Sequence, residues 1–176
     1  MALNVPSGNV KNVSFGPGVL FIGAPGSTPT TDVGYVRGSQ LSFARTPLDL
    51  NQGMPDTLIK RWITAEQATL TFTGLELTLA NLKDALGAGE ISGTNLGLGG
   101  DLNTEERAVM LRHSTQAGYT IFVDFYFATR EGDFSMSFEN DFLELPFGFR
   151  ALETATDWAG AALSEQQRLF RIRRLV

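Results

Sequence analysis

The stretch from Glu66 to Gly74 reads Glu-Gln-Ala-Thr-Leu-Thr-Phe-Thr-Gly, an alternation of apolar and polar residues. Successive side chains of an extended chain point to opposite faces, so Ala68, Leu70 and Phe72 share one face and Gln67, Thr69, Thr71 and Thr73 the other. A helix, with its period of 3.6 residues, would mix the two sets. Threonine suits the pleated surface because its branched side chain packs well there. A slip of one residue would exchange the faces, so the apolar set is assigned to a core and the threonines to a wetted surface.

The same pattern recurs along the chain. Gly18–Gly23 is a short apolar run bracketed by glycines. Val33–Arg45 places Leu41 and Phe43 opposite Gln40 and Ser42. Thr57–Thr64 is extended, and Glu105–His113 predicts a further strand. In Tyr119–Thr129, Tyr119, Ile121, Val123, Phe125 and Phe127 face one way and Thr120, Asp124 and Ala128 the other. Phe142–Leu152 contains Pro146, which places it at an edge or a bulge. At the end of the chain Phe170 and Ile172 alternate with Arg171 and Arg173. One helix is predicted, with Thr78 as N-cap, Leu79, Leu82, Ala85 and Leu86 as its apolar stripe and Gly87 as its stop. At about two turns it needs a sheet to pack on. Thr46–Asp56, with Pro47, Gly53 and Pro55, is expected as a loop, and so is the glycine-rich Ala88–Asn103. Ala159–Leu163 is expected as a helical turn. No internal repeat is found. The expectation is a single domain over residues 1–176, mainly β, with two packed antiparallel sheets (sandwich or barrel-like) and one flanking α-helix. An N-terminal segment, the long inter-strand loop 46–56 and a C-terminal arm complete it.

Composition narrows the function. Charged residues make up 19% of the 176 residues, against about 25% in a typical domain, so part of the surface is not built for water. The formal charge of −5 argues against a protein held on nucleic acid by phosphate contacts. Without cysteine and with one histidine, the chain holds no disulfide, thiol nucleophile, Cys-ligated metal or multi-His zinc site. Met1–Val10 has neither the basic nor the apolar region of a signal peptide. The longest charge-free stretch, Asn12–Thr31, is broken by glycines and prolines, so no membrane segment is expected. The Asn12-Val13-Ser14 sequon carries little weight without a secretory signal. Synthesis in a cytoplasm is the expectation.

The local motifs are weak. Gly23-Ala24-Pro25-Gly26-Ser27-Thr28 lacks the lysine of a phosphate loop, and Gly97-Leu98-Gly99-Gly100 has no βαβ unit around it. Asp101, Asn103 and Glu105 alternate as calcium ligands do, but Glu106 stands where the bend needs glycine. His113 beside Ser114 lies in no Gly-x-Ser-x-Gly elbow. Asp124, Glu131, Asp133, Glu139, Asp141 and Glu144 are scattered as on a solvated face rather than paired as in a glycosidase. No catalytic residue, cofactor or metal ligand is assigned, and no enzyme is expected. The basic end (Arg168, Arg171, Arg173, Arg174) fits either a charge-protected edge strand or an arm for acids of a neighbouring subunit, such as Asp133 or Glu139.

Several stretches, taken in order, resemble the phage tail tube (major tail) protein family. They are Gly18–Gly23, Asp32–Gly38, Ala68–Phe72, Leu79–Gly87, Leu145–Leu152 and Arg168–Ile172. The resemblance implies a structural protein of the virion tail. Its homohexameric rings would stack into a hollow tube that conducts the genome during DNA ejection. It also implies a tape-measure protein and tail terminator or tip proteins as partners, with DNA passing the lumen unbound. If each subunit gives four strands to a shared barrel, as the family does, the ring has twenty-four, and such a barrel is open. The negative balance suits a channel that must not hold phosphates. On this reading Gln40, Ser42, Gln67, Thr69, Thr71, Thr73 and Asp124 line the lumen. Leu48, Asp49, Leu50, Met54 and Asp56 of the loop, with Arg171, Arg173 and Arg174, stack the rings. The alternatives are another β-sandwich virion or ligand-binding module of the capsid-decorating type, and a hydrolase using His113.

Overall fold

Alternation governs the architecture. The computed structural model describes residues 18–100, 104–114, 119–136 and 143–175. Met1–Val10, Asn12–Ser14, Asp101, Asn103, Glu139 and Asp141 lie outside them. The strands are β1 (Val19–Gly23), β2 (Thr31–Asp32), β3 (Val36–Gln52), β4 (Thr57–Gly74), β5 (Glu90–Ser92), β6 (Asn95–Gly97), β7 (Glu106–Ser114), β8 (Thr120–Arg130), β9 (Leu145–Ala151) and β10 (Arg171–Leu175). The helix α1 (Leu79–Leu86) follows β4. All pairings are antiparallel. The large sheet runs β2-β1-β7-β8-β9-β4-β3 with β10 attached to β8, and β5-β6 is a second, small sheet. The fold is mainly β with two antiparallel sheets of very unequal size and one helix, and no barrel closes.

β8 is the hinge of this arrangement. β7 pairs along one edge of it. The other edge is divided, with β10 on Thr120–Asp124 and β9 on Ala128–Arg130. Strands on both edges of β8, though not β10, contribute to one hydrophobic cluster. It contains Leu20 and Ile22 of β1, Leu70 and Phe72 of β4, Val109 of β7, Val123 and Phe125 of β8, and Phe147 and Phe149 of β9. The Phe72 and Phe147 rings stack at 4.6 Å. The alternation of β4 is realised as read: Ala68, Leu70 and Phe72 are buried, and Gln67, Thr69, Thr71 and Thr73 are not. In β8 it breaks. Arg107 faces Ala128 while Val109 faces Phe125, so β8 carries one extra residue. This bulge turns Ala128, expected on the polar side, into the cluster, and leaves Phe127 half-buried.

The helix is capped as predicted. Thr78 Oγ1 accepts from the Asn81 amide, and Gly87 ends the helix in the left-handed conformation at φ 71°. A side chain at Gly87 would also meet Arg130, whose Cβ lies 2.3 Å from where the new Cβ would be. Buried Asn81 donates to Val33 O and Glu76 O, tying α1 to the loops beside it.

Two loop expectations and one helical-turn expectation are corrected. Thr46–Asp56 is no loop: β3 continues to Gln52, and only Gly53–Asp56 turn. Ala88–Asn103, where described, contains the β5–β6 hairpin beside α1. Ala159–Leu163 is a turn rather than a helical one. The Asp157 carboxylate accepts from the Ala159 and Ala161 amides, a bridge joins Thr156 to Ala162, and the short 3-10 turn comes later, at Glu165–Gln167.

Candidate assembly interface

The most unusual element is the β3–β4 hairpin. β9 accompanies β4 only as far as Thr69. Beyond it β3 and β4 pair with each other alone, from Phe43↔Ala68 to Gln52↔Thr57. Ten residues of β3, roughly 33 Å of strand, therefore have no strand partner but β4, and only their base touches the body, where the Phe43 ring meets Phe170 edge-on at 5.4 Å. A two-stranded ribbon of this kind is marginal in water by itself. Here it also exposes Leu48, Leu50, Met54, Leu58, Ile59, Trp62 and Ile63. Directly opposed residues share a face, so Leu48↔Trp62 and Leu50↔Lys60 form one side and Pro47↔Ile63 and Asp49↔Arg61 the other. The first side continues the polar face of the body, on which Gln40↔Thr71 and Ser42↔Thr69 lie. One continuous surface thus changes from hydroxyls and amides on the body to aliphatic and indole groups on the hairpin.

A forked ion pair sits on the second side. Arg61 donates to both oxygens of Asp49 at 2.6 and 2.8 Å. Those hydrogen bonds, with the guanidinium charge, hold the Asp49 carboxyl below the ordinary carboxylate range and raise Arg61. Arg45–Glu66 repeats the pairing at the hairpin base, at 2.9 Å. Beside that base a cleft of about 780 Å³ opens between Ile63–Glu66 and the stretch holding Leu152, Glu165 and Leu169.

Of the residues expected to stack rings, the hairpin set is brought together. Leu48, Leu50, Met54 and Asp56 are exposed, and Asp49 is engaged by Arg61. The arginines are not part of that set. Arg171 and Arg173 both turn to Asp124, which is wholly buried. Arg173 Nε and Nη2 each donate to it, the latter at 3.0 Å. Each of three terminal arginines also lies over a ring: Arg171 over Tyr126, Arg173 over Phe122 and Arg174 over Tyr119. These contacts strap β10 to β8, so Arg171 and Arg173 are spent within the subunit rather than offered to a neighbour.

Asp124 is the second correction, since a residue without solvent exposure cannot line a lumen. It does lie on the face of β8 opposite the core. That face is covered by the arginines and by Trp158, whose ring meets Tyr126 edge-on at 5.2 Å. Burial raises Tyr126, the largest influence on it. Among the other lumen candidates Gln40, Ser42 and Thr71 are exposed, and Gln67, Thr69 and Thr73 half-buried. Gln67 and Thr69 donate to Glu131 at 3.1 and 2.9 Å.

Of the described residues weighed for chemistry, Glu105 and Glu131, like Asp124, are engaged by neighbouring side chains. Glu105 is bridged to Lys83 and Arg107, and Arg107 also to Asp84, which anchors α1 to the start of β7. Glu131 holds the β4 side chains and Arg150. Arg130, lowered by its burial, donates to the carbonyls of Ala85, Gly148 and Asp133. Sequence reasoning missed Leu58, Ile59, Trp62 and Ile63 as surface residues. The signal was there: four large apolar residues within six positions fit no single face of a strand in a two-layer core.

No protein-family model matches the sequence, and no curated protein does. Among solved structures the chain is similar to one from the tail of an empty GTA particle, computed with helical refinement and C6 symmetry. The two are 11% identical with a TM-score of 0.45, over 78% of this chain and 92% of that one. A likeness this distant assigns no role.

Proposed function

We propose that the protein is a non-enzymatic structural subunit of a phage tail tube, forming hexameric rings that stack into a hollow tube for passage of the genome. The observation that carries the reading is the β3–β4 hairpin, a long projection whose exposed apolar residues have no use in a monomer. Burying Leu48, Leu50 and Trp62 against another copy contributes about 1.5–3 kcal/mol for each fully buried side chain. Sixfold repetition makes a strong joint from modest contacts. The sequence resemblance to tail tube proteins supplies the ring and the tube. On this reading Gln40, Ser42 and Thr71, with Gln67, Thr69 and Thr73 beside them, line the lumen. These side chains carry no positive charge, and the net charge of −5 repels phosphates. The virion tail is the location, and a tape-measure protein and terminator or tip proteins are the partners implied.

The test is direct. The purified chain is measured by native mass spectrometry and negative-stain microscopy. Hexamers, and tubes with a central channel, are the expected result. A strictly monomeric protein at high concentration would refute the proposal in favour of a ligand-binding or capsid-decorating module.

A further inference from the structure

Among the described residues, Ile91, Leu98, Ile172 and Leu175 are exposed on other elements, but the densest group of exposed apolar side chains follows the β3–β4 pair. The hairpin carries Leu48, Leu50, Met54, Leu58, Ile59, Trp62 and Ile63. Tyr35 and Leu77, 76% and 52% exposed, sit at the other end of the same two strands. There the last pair is Val36↔Gly74, and the Tyr35 carbonyl accepts from the Leu75 amide at 2.9 Å just beyond it. β3 spans 17 residues, so the hairpin turn and this shelf lie roughly 50 Å apart. The turn of one molecule cannot reach its own shelf. A projection at one end and an apolar shelf at the other form a heterologous pair, which joins copies head to tail.

Charge points the same way. The shelf is acidic: Asp32 Oδ1 accepts from the Gly34 amide at 2.9 Å, and Glu76 Oε1 from the Tyr35 amide at 3.3 Å. Glu76 is held over Gly34 so closely that a Cβ there would lie 2.2 Å from the Glu76 carboxyl carbon, with Gly34 at φ 88°. The carboxylate is therefore fixed on the shelf, and only glycine leaves room for it. On the hairpin, Lys60 stands across from Leu50 with its ammonium over the Trp62 ring at 5.0 Å. It presents a cation beside apolar groups.

We infer that the hairpin of one copy seats on the Tyr35–Leu77 shelf of a second copy, with Lys60 meeting the carboxylates of Asp32 and Glu76. This inference rests on the stacking reading above and adds the surface that receives the hairpin.

The chain contains no cysteine, so introduced thiols are the sole reactive ones. Met54→Cys and Leu77→Cys are made singly and together, and the assembled proteins are treated with a short bis-maleimide. The double variant is expected to give a ladder of covalent oligomers beyond the dimer on denaturing gels, and each single variant no more than dimers. If the double variant forms tubes under the microscope and gives no ladder, the shelf is overturned while the stacking reading stands. If the parent chain forms neither rings nor tubes, both fall. If the parent forms tubes and the double variant does not, charge exchange decides. Lys60→Glu or Glu76→Lys alone should cut tube length at least several-fold and the pair restore it; failure to restore overturns the shelf.

Discussion

Asp124→Ala tests how the C-terminal strand is held. The carboxylate is fully buried, and the Arg171 and Arg173 side chains that meet it are 26% and 31% exposed. Removing one partner of a buried pair typically costs about 3–5 kcal/mol, because the other charge is left without compensation. Both arginines keep some hydration and their rings, which lowers the expected cost to about 2–3 kcal/mol. For a domain of this size each kcal/mol moves the melting midpoint by about 2–4 °C, so a fall of roughly 5–10 °C follows. Urea unfolding gives the free energy, and amide exchange reports where it acts. Protection should be lost first at Ile172 and Arg173 and spared at Leu70. Arg173→Ala should cost less than Asp124→Ala, since Arg171 remains 3.6 Å from the carboxylate. A double-mutant cycle over Asp124 and Arg173 should give a coupling of at least about 1 kcal/mol. An Asp124→Ala protein within about 0.5 kcal/mol of the parent, with β10 still protected, would refute an ionic strap.

Four further outcomes are expected. Replacing Pro47–Ile63 by a tight turn should leave a body that melts within a few degrees of the parent, because the core lies elsewhere, and abolish long tubes in negative stain. Leu82→Asp places a charge where α1 packs against the core and should cost about 3 kcal/mol or more in urea unfolding. Gly87→Ala combines a left-handed backbone with a clash against Arg130 and should cost roughly 1–3 kcal/mol by the same assay. Burial is the largest influence on Glu105 and raises it, but the hydrogen bonds and charges of Lys83 and Arg107 together outweigh burial and leave it below 4.5. A carboxyl depressed on folding stabilises above its unfolded value and loses that contribution as pH falls through the folded one. Glu105→Gln should therefore flatten the stability curve below about pH 4.5, as read by urea midpoints at successive pH values.

The legible parts of this fold are those where one local rule acts alone. Thr78, Leu82 and Gly87 announce α1 because capping and the left-handed stop depend on neighbours in sequence. Ala68, Leu70 and Phe72 announce the core face of β4 for the same reason. The hairpin was misread because Pro47, Gly53 and Pro55 look like loop punctuation, whereas Pro47 sits in a ribbon with free outer edges that tolerates it. Asp124 was misread because alternation says which side of β8 a residue takes but not what covers that side. The cover comes from Trp158 and β10, more than thirty residues downstream in sequence, and no local pattern carries that information. The candidate interface was legible for Leu48, Leu50 and Met54. The partners across the hairpin became visible only with the register.

The ribbon's register is interrupted twice, between Thr46 and Pro47 and between Leu50 and Asn51. Each interruption bends the strand and increases its twist, so neither edge offers a long, flat row of amides and carbonyls. A chain that exposes this much aliphatic surface on a two-stranded ribbon would otherwise be a template for fibril growth, in which strands add edge to edge without limit. The two bulges close that route while leaving the side-chain faces intact. Growth is then confined to the direction in which the faces, rather than the backbone, find a partner.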